Sequence, residues 1–175
     1  MTGLVDATGH SPVLPEWAAG YWHSPMGHNT RKFGTKGGDY NQTEAIAAVD
    51  GLHSRGIPTD LYVIDWFNWQ TMGDFTFDSK FWPDPTGMVK HLESKGVRLM
   101  VSAWPFVNAE GARASAKIKQ PGNAVHFANG SLTPWPEGVC MDLCYLYDPS
   151  SQKGRDFLWD MLDSGYVKYG VKNFW

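Results

Sequence analysis

The stretch D-P-T-G-M-V-K-H-L-E-S-K-G-V-R-L-M-V-S-A, Asp84 to Ala103, decides the fold. Asp at an N-cap followed by Pro at the first helical position is a favoured helix start. Met88, Val89 and Leu92 then share one helical face. Lys95-Gly96 ends the helix, with glycine free to take the left-handed C′ conformation. Val97 to Ala103 is a short, β-rich apolar run of the kind buried on both sides. The same grammar recurs on either side. Asn41-Gln42-Thr43-Glu44 resembles a capping box; Ile46, Val49 and Leu52 follow, Arg55-Gly56 stops the helix, and Leu61 to Ile64 reads as a strand. Asp148-Pro149 opens a third unit through Phe157, Leu158, Met161 and Leu162. Tyr169-Gly170 closes it, and Val171 to Trp175 begins a further strand. A strand-like piece, Trp17 to His23, comes first. Alternating strand and helix predicts parallel strands joined by right-handed crossovers. A (β/α)8 barrel takes about 250 residues, and this chain has 175. The expected class is therefore α/β, a partial (β/α)8 TIM barrel of about four strands and three helices. A four-stranded open sheet is the alternative.

Hydrophobic residues make up 42% and charged residues 19%, a balance that buries a core. Net charge is −3 with no basic run, which argues against nucleic acid and anionic membrane surfaces as partners. No apolar run reaches the ~20 residues that span a bilayer. The N-terminal ten residues lack the basic and apolar regions of a signal peptide. Cys140 and Cys144 have no zinc-ligand spacing and read as two reduced thiols. The six histidines are scattered, so no metal site is expected. No G-x-G-x-x-G or Walker pattern occurs, so no cofactor is expected; Gly34 to Gly38 reads as an insertion. Asn41-Gln42-Thr43 and Asn129-Gly130-Ser131 are N-glycosylation sequons, relevant in a secretory compartment.

Nine tryptophans, nine phenylalanines and seven tyrosines exceed what a core of this size requires. Tyr and Trp combine a broad apolar body with a polar handle, which suits a sugar's apolar face and hydroxylated edge. Ile64-Asp65-Trp66-Phe67-Asn68-Trp69 sets a carboxylate among large rings. Burying it unpaired is costly, so Asp65 either meets water and local partners at a strand end or awaits a hydroxyl-rich ligand. Strand ends of this kind carry the sites of α/β folds. Asp65 and Trp104 both fall at such ends, ahead of long segments at 66–84 and 104–148. The latter is expected to form an irregular excursion over the barrel mouth. Trp69, Phe75, Phe77 and Trp82 also fit simple loop packing. Asp84 fits a helix cap, and Asp74 and Asp78 fit solvated loop charges better than catalytic acids.

Six ordered motifs then resemble one family. They are Leu14 to Trp22 (L-P-E-W-A-A-G-Y-W), Ile57-Pro58, Ile64-Asp65-Trp66, Phe81 to Pro85 (F-W-P-D-P), Gly96 to Pro105 (G-V-R-L-M-V-S-A-W-P) and Tyr147-Asp148-Pro149. Together they are similar to the first half of the catalytic barrel of glycoside hydrolase family 31, which includes α-glucosidases, α-xylosidases and transglycosylases. The D-W-F-x-W form of the second strand end is most similar to the α-xylosidase branch; 31–39 departs from the pattern. The resemblance implies residues 1–16 as a linker entering the barrel, and 17–175 as the N-terminal half of the catalytic domain. It implies a retaining mechanism with two carboxylates about 5–5.5 Å apart. In the family pattern the nucleophile follows a motif resembling F-W-L-D, so nucleophile and acid/base are both expected beyond Trp175. Asp65 would bind hydroxyls of the sugar in the −1 subsite. Trp66 and Phe67 would limit room near C5, favouring xylose, and Trp104 would form the wall. Trp22 and Trp69 are further substrate-binding candidates. The implied partners are an oligosaccharide substrate and the remainder of the barrel. A non-catalytic sugar-binding half barrel, and a dimer of half barrels, are the other readings.

Overall fold

The computed structural model describes residues 2–25, 41–66, 68–135 and 143–175. In chain order the helices are α1 (Thr2–Thr8), α2 (Gln42–Ser54), α3 (Pro85–Ser94), α4 (Ser115–Ile118) and α5 (Gln152–Gly165). The strands are β1 (Trp22–His23), β2 (Leu61–Ile64), β3 (Arg98–Val101), β4 (Phe106–Asn108), β5 (Pro134–Trp135), β6 (Cys144–Leu146) and β7 (Asn173–Phe174).

β1, β2, β3 and β7 form one parallel sheet in that order. Helices α2, α3 and α5 return the chain between successive strands, as expected of four strands and three helices of a barrel. Two of the starts are as the sequence suggests. Asn41 Oδ1 accepts from Glu44 N at 3.1 Å, and Asp84 Oδ1 accepts from Gly87 N at 2.9 Å. Gly56 and Gly96 take φ of 71° and 76° just past the helix ends, the conformation glycine adopts without steric cost.

Several expectations need correction. Trp17 is not in a strand: Glu16–Ala19 is a 3-10 turn and β1 keeps only two residues. Helix α5 starts at Ser151, not Asp148; its hydroxyl accepts from Gly154 N at 2.8 Å. Asp148 instead holds Ser150 N at 2.9 Å in the preceding turn. Helix α5 ends at Gly165, and Val167–Tyr169 forms a separate 3-10 turn before Gly170. The segment after β3 is not irregular, because β4, β6 and β5 pair antiparallel in that order. Cys144 in β6 is buried and disulfide-bonded rather than a reduced thiol. Cys140, Phe67 and the glycine-rich 34–38 stretch lie outside the described residues.

The core explains the long apolar runs. Every residue of β2 is buried. Tyr62, Ile64, Leu99 and Val101 face the helices and pack with Val49, Met88, Leu92, Phe157 and Met161. Leu61, Val63 and Met100 alternate to the other face, where Trp17 covers them. Strands covered on both faces carry apolar residues at consecutive positions. Each fully buried Leu, Ile, Val or Met contributes about 1.5–3 kcal/mol, which fixes the register that aligns the strand ends.

Candidate functional site

The register sets Ile64 beside Val101 and Val101 beside Phe174. Asp65, Ser102 and Trp175 therefore follow at one level, the carboxyl end of the sheet. Asp65 is half-buried there. Its Oδ1 accepts from Trp66 N at 2.9 Å, a bond that turns the chain out of the strand. No cation pairs with Asp65 among the described residues. One carboxylate oxygen is thus spoken for locally, and the group keeps acceptor capacity at the rim.

Trp104 follows β3 and reaches Trp66. Their rings meet edge to face, with centroids 4.5 Å apart and planes at 86°. This arrangement sets the positive ring edge against the negative face. The row continues from Trp104 to Phe106 at 5.8 Å and from Phe106 to Trp135 at 4.9 Å. Met72, Cys144 and Leu146 pack beneath it. The antiparallel insertion thus extends the aromatic rim away from Asp65. Phe106 and Trp135 carried no separate signal in the sequence, since only the β4–β6–β5 pairing brings them beside Trp104.

Trp22 does not join this rim. It pairs with Leu61, at the amino end of the sheet. Four residues of strand separate Leu61 from Asp65, about 13 Å. There Trp22 stacks on Trp17 at 6.0 Å, and the Arg98 guanidinium lies 5.4 Å from the Trp17 ring. Trp69 is 7% exposed and packed into the protein, so it offers little face for stacking. A groove of about 360 Å³ lined by Glu93, Arg98, Gly170 and Lys172 also lies toward the amino ends, opposite the end where barrel sites form.

The loops behind the rim are held by polar groups that sequence pattern does not display. Asp74 accepts from Thr71 N at 2.7 Å and from Arg113 N at 2.9 Å. Arg113 Nη2 donates to Met161 O at 2.7 Å, and its Nε donates to Asp74 O at 2.8 Å. Tyr166, fully buried, donates its hydroxyl to Asn68 Oδ1, three residues past Asp65. Burial pushes the Tyr166 phenol well above its usual range; the Asp74 charge adds to this and Arg113 opposes it. The phenol therefore stays a donor. Gly165 is obligatory at this joint, because a Cβ there would lie 1.6 Å from Phe75 O. Asp84 caps a helix and Asp78 Oδ1 accepts from Lys80 N at 3.0 Å. Among the described residues no group of three His, Cys, Asp or Glu is placed to hold a metal ion.

Parallel strands with helical returns define a segment of a TIM-type barrel, and the carboxylate and aromatic rings lie at the strand carboxyl ends, the face where such barrels carry their sites. The chain belongs to glycosyl hydrolases family 31: the model of that family's TIM-barrel domain matches residues 11–175. It is 34% identical over 174 residues to an uncharacterized family 31 glucosidase ORF2 of Pseudescherichia vulneris, covering 97% of this chain and 29% of that protein. It is 30% identical over 171 residues to alpha-xylosidase A of Aspergillus niger, covering 96% of this chain and 21% of that protein. Among solved structures, a GH31 alpha-xylosidase from a soil metagenome complexed with xylose superposes with a TM-score of 0.76 at 27% identity. That match covers 96% of this chain and 23% of the other. The chain thus spans under a third of the length of these relatives.

Proposed function

We propose that this chain forms the front half of the sugar-binding barrel of a retaining α-glycosidase that releases terminal α-linked xylose from oligosaccharides. Residues 1–16 lead into the barrel and 17–175 belong to the catalytic domain. Asp65 accepts hydrogen bonds from hydroxyls of the sugar in the −1 subsite. Trp66, with Phe67, limits the space beside C5, and Trp104 walls the pocket. The nucleophile and the acid/base follow Trp175 in the complete enzyme. No cofactor takes part in the reaction. The observation that carries this reading is the half-buried Asp65 carboxylate beside the 4.5 Å Trp66–Trp104 contact. Glucose in place of xylose is the second reading, favoured by the 34% identity to a relative named as a glucosidase.

The test is intrinsic tryptophan fluorescence of the 175-residue chain, titrated with xylose and with glucose. A single monosaccharide is expected to bind in the millimolar range, about −4 kcal/mol. Xylose should give a saturable change that Asp65→Asn and Trp104→Ala remove. Trp22→Ala, altered at the far end of the sheet, should keep it. A folded chain with no saturable response well above the millimolar range would sink the reading. Tighter binding of glucose would select the second.

A further inference from the structure

Residues His126 to Leu132 form a hairpin whose tip carries the second sequon, Asn129-Gly130-Ser131. His126 and Leu132 bridge antiparallel. Phe127 N donates to Ser131 O at 2.8 Å, and Gly130 N donates to Phe127 O at 2.8 Å. Gly130 takes φ of 84°. This is a three-residue loop: a type I turn closed by a glycine bulge. Asn129 Oδ1 accepts from Ser131 N at 3.0 Å and from Ser131 Oγ at 2.7 Å. The side-chain oxygen is therefore held and the amide oriented, while the exposed Asn129 Nδ2 takes no part in the turn's hydrogen bonds. Two residues earlier Phe127 is 51% exposed, so a large apolar ring faces solvent at the hairpin tip.

The other sequon is built differently. Asn41 is half-buried and its Oδ1 caps α2. Gln42 is tied on both sides, its N to Phe81 O at 2.9 Å and its Oε1 to Asp84 N at 2.8 Å. A glycan there would meet the start of α3. A further observation concerns the compartment. Cys144, fully buried in β6, is disulfide-bonded, and disulfides persist in oxidising compartments, where N-glycosylation also occurs.

We propose that Asn129 is an N-glycosylation site and that Phe127 is the platform for its first sugar. The donor is a lipid-diphosphate oligosaccharide. The Asn129 Nδ2–C1 bond forms as the C1–O bond to the diphosphate breaks, and the Nδ2 proton leaves with the released lipid diphosphate. The first sugar then lies over the Phe127 ring, its C–H face covering apolar surface that is otherwise wet. The glycan stands on the outer tip of the β4–β6–β5 insertion and stabilises it. Neither the residues used nor the chemistry depends on the glycosidase reading.

The chain is expressed behind a secretory leader in a eukaryotic host and mapped by mass spectrometry before and after enzymatic deglycosylation. One glycan per chain is expected, on Asn129, and lost in Asn129→Gln. Glycosylation should raise Tm by about 2–4 °C, the shift that one surface contact gives a domain of this size. Phe127→Ala should abolish that gain while changing the Tm of Asn129→Gln little, a double-mutant cycle that isolates the contact. An unmodified Asn129 in secreted, folded protein overturns the site, as does a glycan on Asn41 instead. A gain unchanged by Phe127→Ala overturns the platform. Where a variant is not secreted, translation with microsomes reads the same mass shift.

Discussion

Replacing Arg113 by alanine is expected to loosen the rim without touching it. The guanidinium is a fork between three segments: the loop after β2 that carries Asp65 and Trp66, the insertion after β3, and the last turn of α5. Its bond to Met161 O, 2.7 Å, is partly buried and satisfies a carbonyl near the end of α5. Its bond to Asp74 O, 2.8 Å, is solvent-facing. The bonds to Ser164 Oγ at 3.1 Å and Phe75 O at 3.4 Å are weaker or readily replaced by water. A hydrogen bond from a charged donor contributes about 1.5–3 kcal/mol. Taking the low end for Met161 O and at most about 1 kcal/mol for the exposed one, the loss is about 1.5–2.5 kcal/mol.

With a urea m-value of about 2 kcal/mol/M, the unfolding midpoint should fall by about 0.8–1.3 M. The edge-to-face pair of Trp66 and Trp104 should also lose order, read as a smaller near-UV circular dichroism signal at unchanged far-UV signal. Arg113→Lys should recover less than half of the loss, because a point-charge ammonium cannot serve two carbonyls in the fixed fork geometry. A midpoint shift under about 0.5 M for alanine, or full recovery by lysine, would refute the argument that the fork holds the loops.

Gly165→Ala should be more damaging than Arg113→Ala. Its Cβ would sit 1.6 Å from Phe75 O and 2.8 Å from Phe75 C, and overpacking against backbone costs about 3 kcal/mol or more. Tm should drop by about 6–12 °C; a drop under about 2 °C would show that the joint can give way. The Asp50 cluster supplies a pH dependence. Asp50 Oδ1 lies 2.8 Å from His91 Nε2 and 3.5 Å from Lys95 Nζ. The hydrogen bond from His91 holds the Asp50 pKa below its ordinary 3.8, with the charges of His91 and Lys95 adding to it. A depressed carboxyl pKa contributes stability that is present above the unfolded value and lost as pH falls through the folded one. Asp50→Asn should therefore lower the urea midpoint near neutral pH, and the gap to the parent should close in strong acid. A gap that stays constant down to about pH 2 would rule out this linkage.

The elements with strong local chemistry were legible in the sequence. Asn41 and Asp84 cap the helices they precede, and the apolar runs at 61–64 and 98–101 became adjacent parallel strands. Their register follows from burial on both faces, and from register follows the placing of Asp65. Composition marks Trp22 as aromatic without saying which end of the sheet it occupies. Only its pairing with Leu61 does that. Asp148-Pro149 looked like a helix start, but Ser151 offered the better-placed oxygen and Asp148 closed the turn before it. The antiparallel insertion was missed because β4, β5 and β6 are two or three residues each, too short for a period to register. Arg113, Asn68 and Tyr166 were invisible for a different reason: their partners lie 48, 98 and 98 positions away.

Those separations bear on how the site is built. A barrel strand fixes a rim residue only to its last hydrogen-bonded position; beyond it the chain is loop. Asp65 and Trp104 each lie one residue past that limit, since Ser102 N donates to Ile64 O at 3.0 Å and Ala103 N donates to Trp175 O at 2.9 Å. Trp104 owes its place to what comes next, since β4 begins two residues later and anchors the chain through β6. Trp66 owes its place to what lies behind it, through Asn68 to Tyr166 and through Asp74 to Arg113. Both lines of support converge on the last turn of α5, where Met161 accepts from Arg113 and Gly165 lets Phe75 approach. The helix that returns the chain to β7 thus also sets the angle between two walls raised by earlier strands. On the reading proposed above, substitutions there should change sugar affinity as well as stability, although none of those residues is part of the rim.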